Sequence, residues 1–172
     1  MAFTFIKSTY KYGIIMGLGF CLYTTFMWLT KLDTSYLNIG QYFDMAIIAL
    51  PIAVIFRAIK QENKTYVVTV LQRVGIAVFV GLISFLIYEP FLYVYHNIIN
   101  PTWFNAVLDL HESTLKASGM AAVDIAKQLD LEKAMNAKQA GLFKLGPFIA
   151  SVLVLPTLIA LISLVFIRNK KK

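Results

Sequence analysis

The chain has 172 residues and a formal net charge of +7 at pH 7, with 59% hydrophobic and only 15% charged residues. About a quarter of the residues in a soluble domain are charged, so this composition excludes an ordinary soluble globular protein. The basic residues stand near the ends of apolar runs and form no extended groove, which excludes a nucleic-acid-binding surface. The single cysteine, Cys21, excludes an intrachain disulfide.

Four long apolar runs follow one another along the chain. A bilayer core of about 30 Å requires roughly 20 apolar residues at 1.5 Å per residue, and at least three of the runs are that long. The sequence therefore predicts one all-α membrane domain over residues 1–172, an integral membrane bundle of four transmembrane helices. The predicted spans cover about 10–30, 42–60, 66–98 and 143–167, and a helical insertion covers about 101–139.

The first span contains Gly13 and Gly17 at the spacing that lets a neighbouring helix backbone approach closely. The pair fits a dimer interface or packing inside the bundle. Internal packing is favoured, because a small four-helix protein needs close helix contacts in any case.

The second span is the weakest of the four. Asp44 stands near its outer end, Pro51 lies in its middle, and Arg57 closes it. Its apolar length of about 16 residues falls short of the roughly 20 that a bilayer core requires. Such a span must thin the bilayer locally or borrow length from its polar ends.

The third span has a narrow face of small residues. Ala77, Gly81 and Ser84 recur at helical spacing, and Arg73 begins the same face at its cytoplasmic end. We expect this face to pack against another span.

Glu89 is the deepest acid in the predicted spans, and it directly precedes Pro90, which should bend the helix. An ionisable residue at the bilayer centre costs about 2.5 to 3.5 kcal/mol on insertion scales and is a functional candidate by default. Glu89 could pair with Lys31 or His96, or it could exchange a proton or bind a cation in an outward cavity. The structural pair is favoured, since pairing is the usual state of an intramembrane acid. The intramembrane polar candidates are Glu89, Asp44, Arg73 and His96.

The insertion begins at Asn100-Pro101-Thr102, where Asn can cap a helix and Pro suits its first position. Apolar residues recur on one face up to Gly119, and a second amphipathic helix follows. Two short amphipathic helices lying on the outer membrane surface fit this pattern. The residues expected to contact a partner are Trp103, Phe104, Leu108, His111 and Leu115.

The fourth span begins near Gly146-Pro147 and should bend at Pro156, and the basic end from Arg168 to Lys172 is typical of a membrane anchor. No catalytic, phosphate-binding or nucleotide-binding motif is present anywhere in the sequence. His96, His111 and the neighbouring acids have no spacing of a known metal site. We therefore predict no catalytic residue, no metal site and no cofactor.

The distribution of Lys and Arg indicates an orientation. If both termini face the cytoplasm, most of the 16 basic residues lie on that side, as the positive-inside rule requires. Lys138 and Lys144, near the start of the fourth span, argue mildly for the reverse. The sequence thus predicts a multi-pass protein of the bacterial inner membrane with cytoplasmic termini.

Several short patterns in order along the chain resemble an uncharacterised bacterial membrane family, the domain of unknown function 4199. They are Lys11-Tyr12-Gly13, the basic stretch Arg57 to Lys64, Phe91 to Tyr95 leading to Ile99-Asn100-Pro101-Thr102-Trp103, Gly119-Met120 and the Lys-rich end. The resemblance implies four transmembrane helices with an outer helical insertion and no established activity.

These features lead to two functional expectations. The first is a non-enzymatic structural or accessory protein, which contacts the lipid bilayer and binds a second copy or other membrane subunits through helix packing. The alternative is a small transporter or an ion or proton pathway that uses Glu89.

Overall fold

The structure, a computed structural model, describes residues 6–138 and 143–167. Within these residues it is helical without strands, and four helices are long and apolar enough to cross a membrane. They cover Thr9–Leu29, Leu37–Thr65, Val70–Ile99 and Leu145–Phe166. The predicted all-α fold with four spans is confirmed. Part of the predicted insertion, at 139–142, and the basic end after Ile167 lie outside the described residues.

The α-helices of the described residues follow in this order: α1 (Ile6–Leu29), α2 (Leu37–Ala46), α3 (Ala49–Thr65), α4 (Val70–Val94), α5 (Trp103–Ala117), α6 (Ala122–Lys138), α7 (Leu145–Phe148) and α8 (Leu155–Phe166). Two π-helical segments continue α4 and α7, at Tyr95–Ile99 and Ile149–Val154. The second lies just before Pro156, which has no N–H to donate to the Val152 carbonyl. The irregularity predicted at Pro156 is therefore a π-helical segment.

The second span is longer than its apolar run, which agrees with the expectation that it borrows length from its polar ends. It covers the 29 residues Leu37–Thr65, in two helices that meet at Ile47 and Ile48. Pro51 lies in the first turn of α3, where backbone N–H groups have no helical acceptor, so it leaves the helix intact. Beyond Arg57, the polar residues up to Thr65 include good helix formers, and the helix continues through them.

The third span begins at Val70, four residues later than predicted, because Thr69 caps it. The Thr69 hydroxyl accepts a hydrogen bond from the Gln72 N–H at 3.3 Å, and the Gln72 side chain accepts one from the Thr69 N–H at 2.9 Å. This reciprocal pair is a capping box.

Before the capping box, Tyr66 has an extended backbone, and its hydroxyl donates a hydrogen bond to the Glu62 carboxylate at 3.0 Å. Burial and this contact with a carboxylate raise the pKa of Tyr66 to about 12.

The glycines of the first and third spans serve close contacts inside one chain. An added Cβ at Gly13 would lie 2.5 Å from the Ile83 Cβ, and one at Gly17 would lie 3.0 Å from the Ile87 Cβ. Gly81 similarly faces the Ser151 carbonyl oxygen, at 3.1 Å from its would-be Cβ. These contacts join α1 to α4, and α4 to the fourth span. They favour internal packing over a dimer interface at Gly13 and Gly17.

The buried core of the bundle lies beside these glycine contacts and extends towards the end of the bundle where α1 begins. It includes the fully buried Ile55, Ile59, Ile76 and Val80, and Ala77 lies among them. Because α4 contributes to this core and also packs on α1, α3 and α8, it is the central helix of the bundle.

We expect opposite effects on stability from the same substitution at two glycines. Gly13→Ala should destabilise the protein by about 1–3 kcal/mol, because its Cβ overlaps Ile83. Gly146→Ala should be neutral or slightly stabilising, since nothing lies within 4 Å of its would-be Cβ and Ala favours a helix. Thermal unfolding of both variants in the same detergent tests this difference. Equal midpoints for the two variants would contradict the close contact of α1 with α4.

Candidate functional site

Most of the predicted polar candidates meet at one end of the bundle. We call it the insertion end: α1 and α4 finish there, the insertion leaves and returns there, and α7 begins there. The opposite end, where α3 finishes and α4 begins, is called the terminal end. Glu89, His96 and Lys144 belong to the insertion end, whereas Arg73 belongs to the terminal end.

A buried hydrogen-bonded triad joins the turn after α1 to the end of α4. Asp33 is only 6% exposed, and its Oδ2 accepts hydrogen bonds from the Tyr95 hydroxyl and, at 3.0 Å, from the Asn100 side-chain amide. The same amide lies 2.9 Å from the Tyr95 hydroxyl oxygen. The π-helical segment makes this possible, because its closing bond from the Asn100 N–H to the Tyr95 carbonyl, at 2.8 Å, holds the two residues together.

Sequence reasoning missed this triad. Asp33 was only one of several charges outside the spans, and Tyr95 belonged to an apolar run. The one local signal is the turn itself: Lys31 has a positive φ of 58°, which is rare for a residue with a side chain. Because the chain turns sharply at Lys31, the side chain of Asp33 can point back towards the ends of the neighbouring helices.

Glu89 is buried, at 9% exposure, and makes no ion pair or side-chain hydrogen bond with another described residue. The predicted pairing with Lys31 or His96 is therefore wrong. Lys31 lies beyond the end of α1 and is exposed. His96 lies in the π-helical segment, where α-helical spacing no longer holds, so the seven-residue interval from Glu89 does not bring the two together. The nearby positive charge that acts on Glu89 is that of Lys144.

His96 packs against aromatic rings. Its ring centroid lies 4.6 Å from that of Trp103 and 5.1 Å from that of Tyr95. Its Nδ1 is buried and has no hydrogen-bond partner among the described residues. Trp103 is the first residue of α5, so its contact with His96 packs the first turn of α5 onto the end of the third span. Trp103 therefore anchors the insertion to the bundle.

Asp44 is held by the neighbouring first span. The Tyr23 hydroxyl donates to the Asp44 Oδ1 at 2.7 Å, which joins α1 to α2. One residue further along α1, the Thr24 hydroxyl lies 2.9 Å from the Tyr88 hydroxyl of α4. Polar pairs thus bridge α1 to both of its neighbours near the insertion end.

Arg73 lies at the other end of the bundle and binds the last turn of α8. It is 2% exposed, and its guanidinium donates to the Ser163 carbonyl at 2.9 Å, the Ser163 hydroxyl at 3.2 Å and the Ile167 carbonyl at 2.8 Å. The last carbonyls of a helix have no partner inside the helix, and a cation is favourable beside them. Arg73 therefore fastens α8 to α4.

The insertion is a helical hairpin with its own buried contacts. Leu108 and Leu115 on α5 are 8% and 9% exposed, and Ile125 on α6 is 5% exposed. The His111 Nδ1 lies 2.6 Å from the Glu132 carboxylate across the two helices. Leu108 and Leu115 are thus covered within the protein, which contradicts their prediction as contacts for a partner. The sequence predicted α6 as a second amphipathic helix but did not show that it packs on α5.

Within the described ranges 6–138 and 143–167, no group of three His, Cys, Asp or Glu residues is close enough to hold a metal ion. The arrangement can hold helices together through buried polar contacts, and it leaves one carboxyl, Glu89, available for a cation or a proton. The nearby positive charge, that of Lys144, comes from the entry to the fourth span.

A family model described as "Protein of unknown function (DUF4199)" matches residues 11–169. The match covers nearly the whole chain and confirms the resemblance that the short patterns indicated. No curated protein and no solved structure matches the chain. The family description assigns no activity.

Proposed function

The chain belongs to the family described as Protein of unknown function (DUF4199), and on that premise we propose that it is a non-enzymatic structural protein of the bacterial inner membrane. It acts through protein–protein contacts. The contact that the described residues support best is with a second copy of the chain, through α6. The basic residues at the terminal end favour a cytoplasmic location for that end.

One observation carries this proposal: an exposed apolar ridge on α6. Val123, Leu131 and Met135 are 80%, 57% and 56% exposed, and Lys127 lies between them at the same four-residue spacing. The opposite side of α6 packs on α5 through Ile125. A continuous exposed ridge of this kind is typical of an interaction surface.

The ridge on α6 can pair with the same ridge of a second copy. Two copies in one membrane share the same orientation, so the two-fold axis of a closed dimer stands along the membrane normal. A helix in the membrane plane then meets its copy antiparallel. Antiparallel pairing about the middle of the ridge places Lys127 of one copy beside Leu131 and Asp130 of the other. Val123 of each copy then meets Met135 of the other, and the charge inside the ridge lies beside an acid.

Cross-linking in membranes tests the second-copy contact. In a Cys21→Ser background, Leu131→Cys should give a covalent dimer with a short bismaleimide. Ser113→Cys, an exposed position on α5, is the matched control and should remain monomeric. Equal dimer yields from the two positions, or cross-links from Leu131→Cys only to other proteins, would overturn the proposal.

The dimer should also respond to charge in the ridge. Leu131→Lys removes an apolar contact and brings two cations together, so we expect roughly tenfold or greater weakening of dimerisation. Light scattering coupled to size exclusion measures the change. Ser113→Lys is the control and should leave the dimer intact.

A second candidate, a proton or cation pathway, is favoured by Glu89 alone. An intramembrane acid without an ion pair among the described residues is a typical site for exchange of a proton or a cation. If this candidate holds, purified protein in liposomes should carry a flux that Glu89→Gln abolishes and Glu112→Gln, a partly exposed acid on α5, leaves unchanged. A parent protein with no flux above empty liposomes would exclude it.

A further inference from the structure

We propose that a cleft at the terminal end of the bundle binds the headgroup of an anionic phospholipid. The cleft has a volume of about 790 Å³ and lies between the start of α1, the last turns of α3 and the end of α8. Its lining combines three cations with three aromatic rings: Arg57, Lys60, Lys64, Tyr12, Phe56 and Phe166.

The cations lie on one face of α3. Arg57, Lys60 and Lys64 are three and four residues apart, which is the spacing of neighbours on a helix surface. All three are exposed, and Arg57 and Lys60 form no ion pair with any described residue. A guanidinium binds a phosphate through two parallel hydrogen bonds, and an ammonium adds a point charge beside it. This part of the cleft therefore suits a phosphate group.

The rings lie on the membrane side of the cations. Phe56 precedes Lys60 by one helical turn, about 6 Å along the axis, and its ring centroid lies 6.1 Å from that of Phe166. From Arg57 to Lys64 the cations extend over about 10 Å along the helix axis, comparable to the headgroup layer of roughly 5–8 Å beside the hydrocarbon. The cleft thus has an apolar part at the depth of acyl chains and a cationic part at the depth of phosphates.

This order of rings and charges favours a lipid over a dissolved phosphate compound. A soluble phosphate would bind the cations and leave the exposed part of the Phe166 ring uncovered. A phospholipid places its phosphate on Arg57 and Lys60 and its acyl chain against the rings. Basic pockets between transmembrane helices are known to bind anionic headgroups.

Binding of phosphatidylglycerol by the purified chain in zwitterionic detergent tests the proposal. We expect phosphatidylglycerol to bind at least about tenfold more tightly than phosphatidylcholine, and the double variant Arg57→Gln with Lys60→Gln to bind it roughly 30-fold more weakly than the parent. The control, Lys116→Gln with Lys133→Gln, makes the same charge change in the insertion and should bind like the parent. Native mass spectrometry of lipid adducts gives both affinities.

Two further measurements keep the result decisive. Exchange of charge type, Arg57→Lys with Lys60→Arg, should retain binding, which separates charge from damage to the fold. Glycerol phosphate should fail to displace the lipid. Equal affinity for the two lipids in the parent, undiminished binding in the Arg57 and Lys60 double variant, or displacement by glycerol phosphate would each overturn the assignment.

Discussion

Arg73→Met should destabilise the protein by about 3 kcal/mol, because it removes a buried donor that the Ser163 and Ile167 carbonyls share. The side chain is 2% exposed and donates to the Ser163 and Ile167 carbonyls. Each buried acceptor that loses its partner costs about 1–3 kcal/mol. For a chain of this length, that change lowers the midpoint of thermal unfolding by roughly 6–12 °C.

The control for this prediction is the same substitution at an exposed position. Arg57→Met removes a guanidinium that forms no ion pair with the described residues, so its unfolding midpoint in zwitterionic detergent should stay near that of the parent. Arg73→Lys should fall between the two, because an ammonium cannot reach both carbonyls with a rigid fork. Equal midpoints for Arg73→Met and Arg57→Met would show that the contact with α8 contributes nothing measurable.

The role of Arg73 illustrates what the sequence could not provide. Its place near one end of the third span followed from helical spacing and charge. Its partner, Ser163, is 90 residues away in the chain, and nothing in the local pattern of the fourth span points to it. Hydropathy fixes which segments enter the membrane because each segment responds to its own composition. The choice of neighbouring helix depends on packing of the whole bundle.

The ends of the spans were harder to predict than their number. Arg57 closed the apolar run of the second span, yet the helix propensity of polar residues beyond it, such as Lys60 and Lys64, carries α3 to Thr65. The third span, by contrast, starts late because the Thr69 and Gln72 side chains form a capping box. That motif was readable in the sequence, as Thr followed three residues later by Gln.

The prediction for Glu89 failed for a geometric reason. It relied on α-helical spacing through His96, and the π-helical segment that begins at Tyr95 changes that spacing. π-helical segments are rare, and they often occur at functional sites. Here the segment brings Tyr95 and Asn100 to Asp33, and it turns His96 towards Trp103.

Asp33→Ala should produce the second large effect, a loss of about 2–3 kcal/mol, since it removes the acceptor that two buried donors share. The Tyr95 hydroxyl and the Asn100 side-chain amide both donate to Asp33 Oδ2. Asn100 also lies three residues before Trp103, the first residue of α5, and its carbonyl accepts from the Trp103 N–H at 3.2 Å. Loss of the triad should therefore loosen the start of the insertion as well as the end of α4.

Hydrogen exchange separates this local effect from a general loss of stability. In Asp33→Ala, amides in the first turns of α5 should exchange faster than in the parent, while those of Ile76 and Val80 in the core change less. Asp33→Asn keeps one acceptor oxygen and should lose less stability. Asp130→Ala, at an exposed acid that lies 3.7 Å from Lys133, is the control and should change neither quantity. If Asp33→Ala unfolds and exchanges like Asp130→Ala, the triad does not hold the insertion to the bundle, and another contact, such as the packing of Trp103 on His96, must do so.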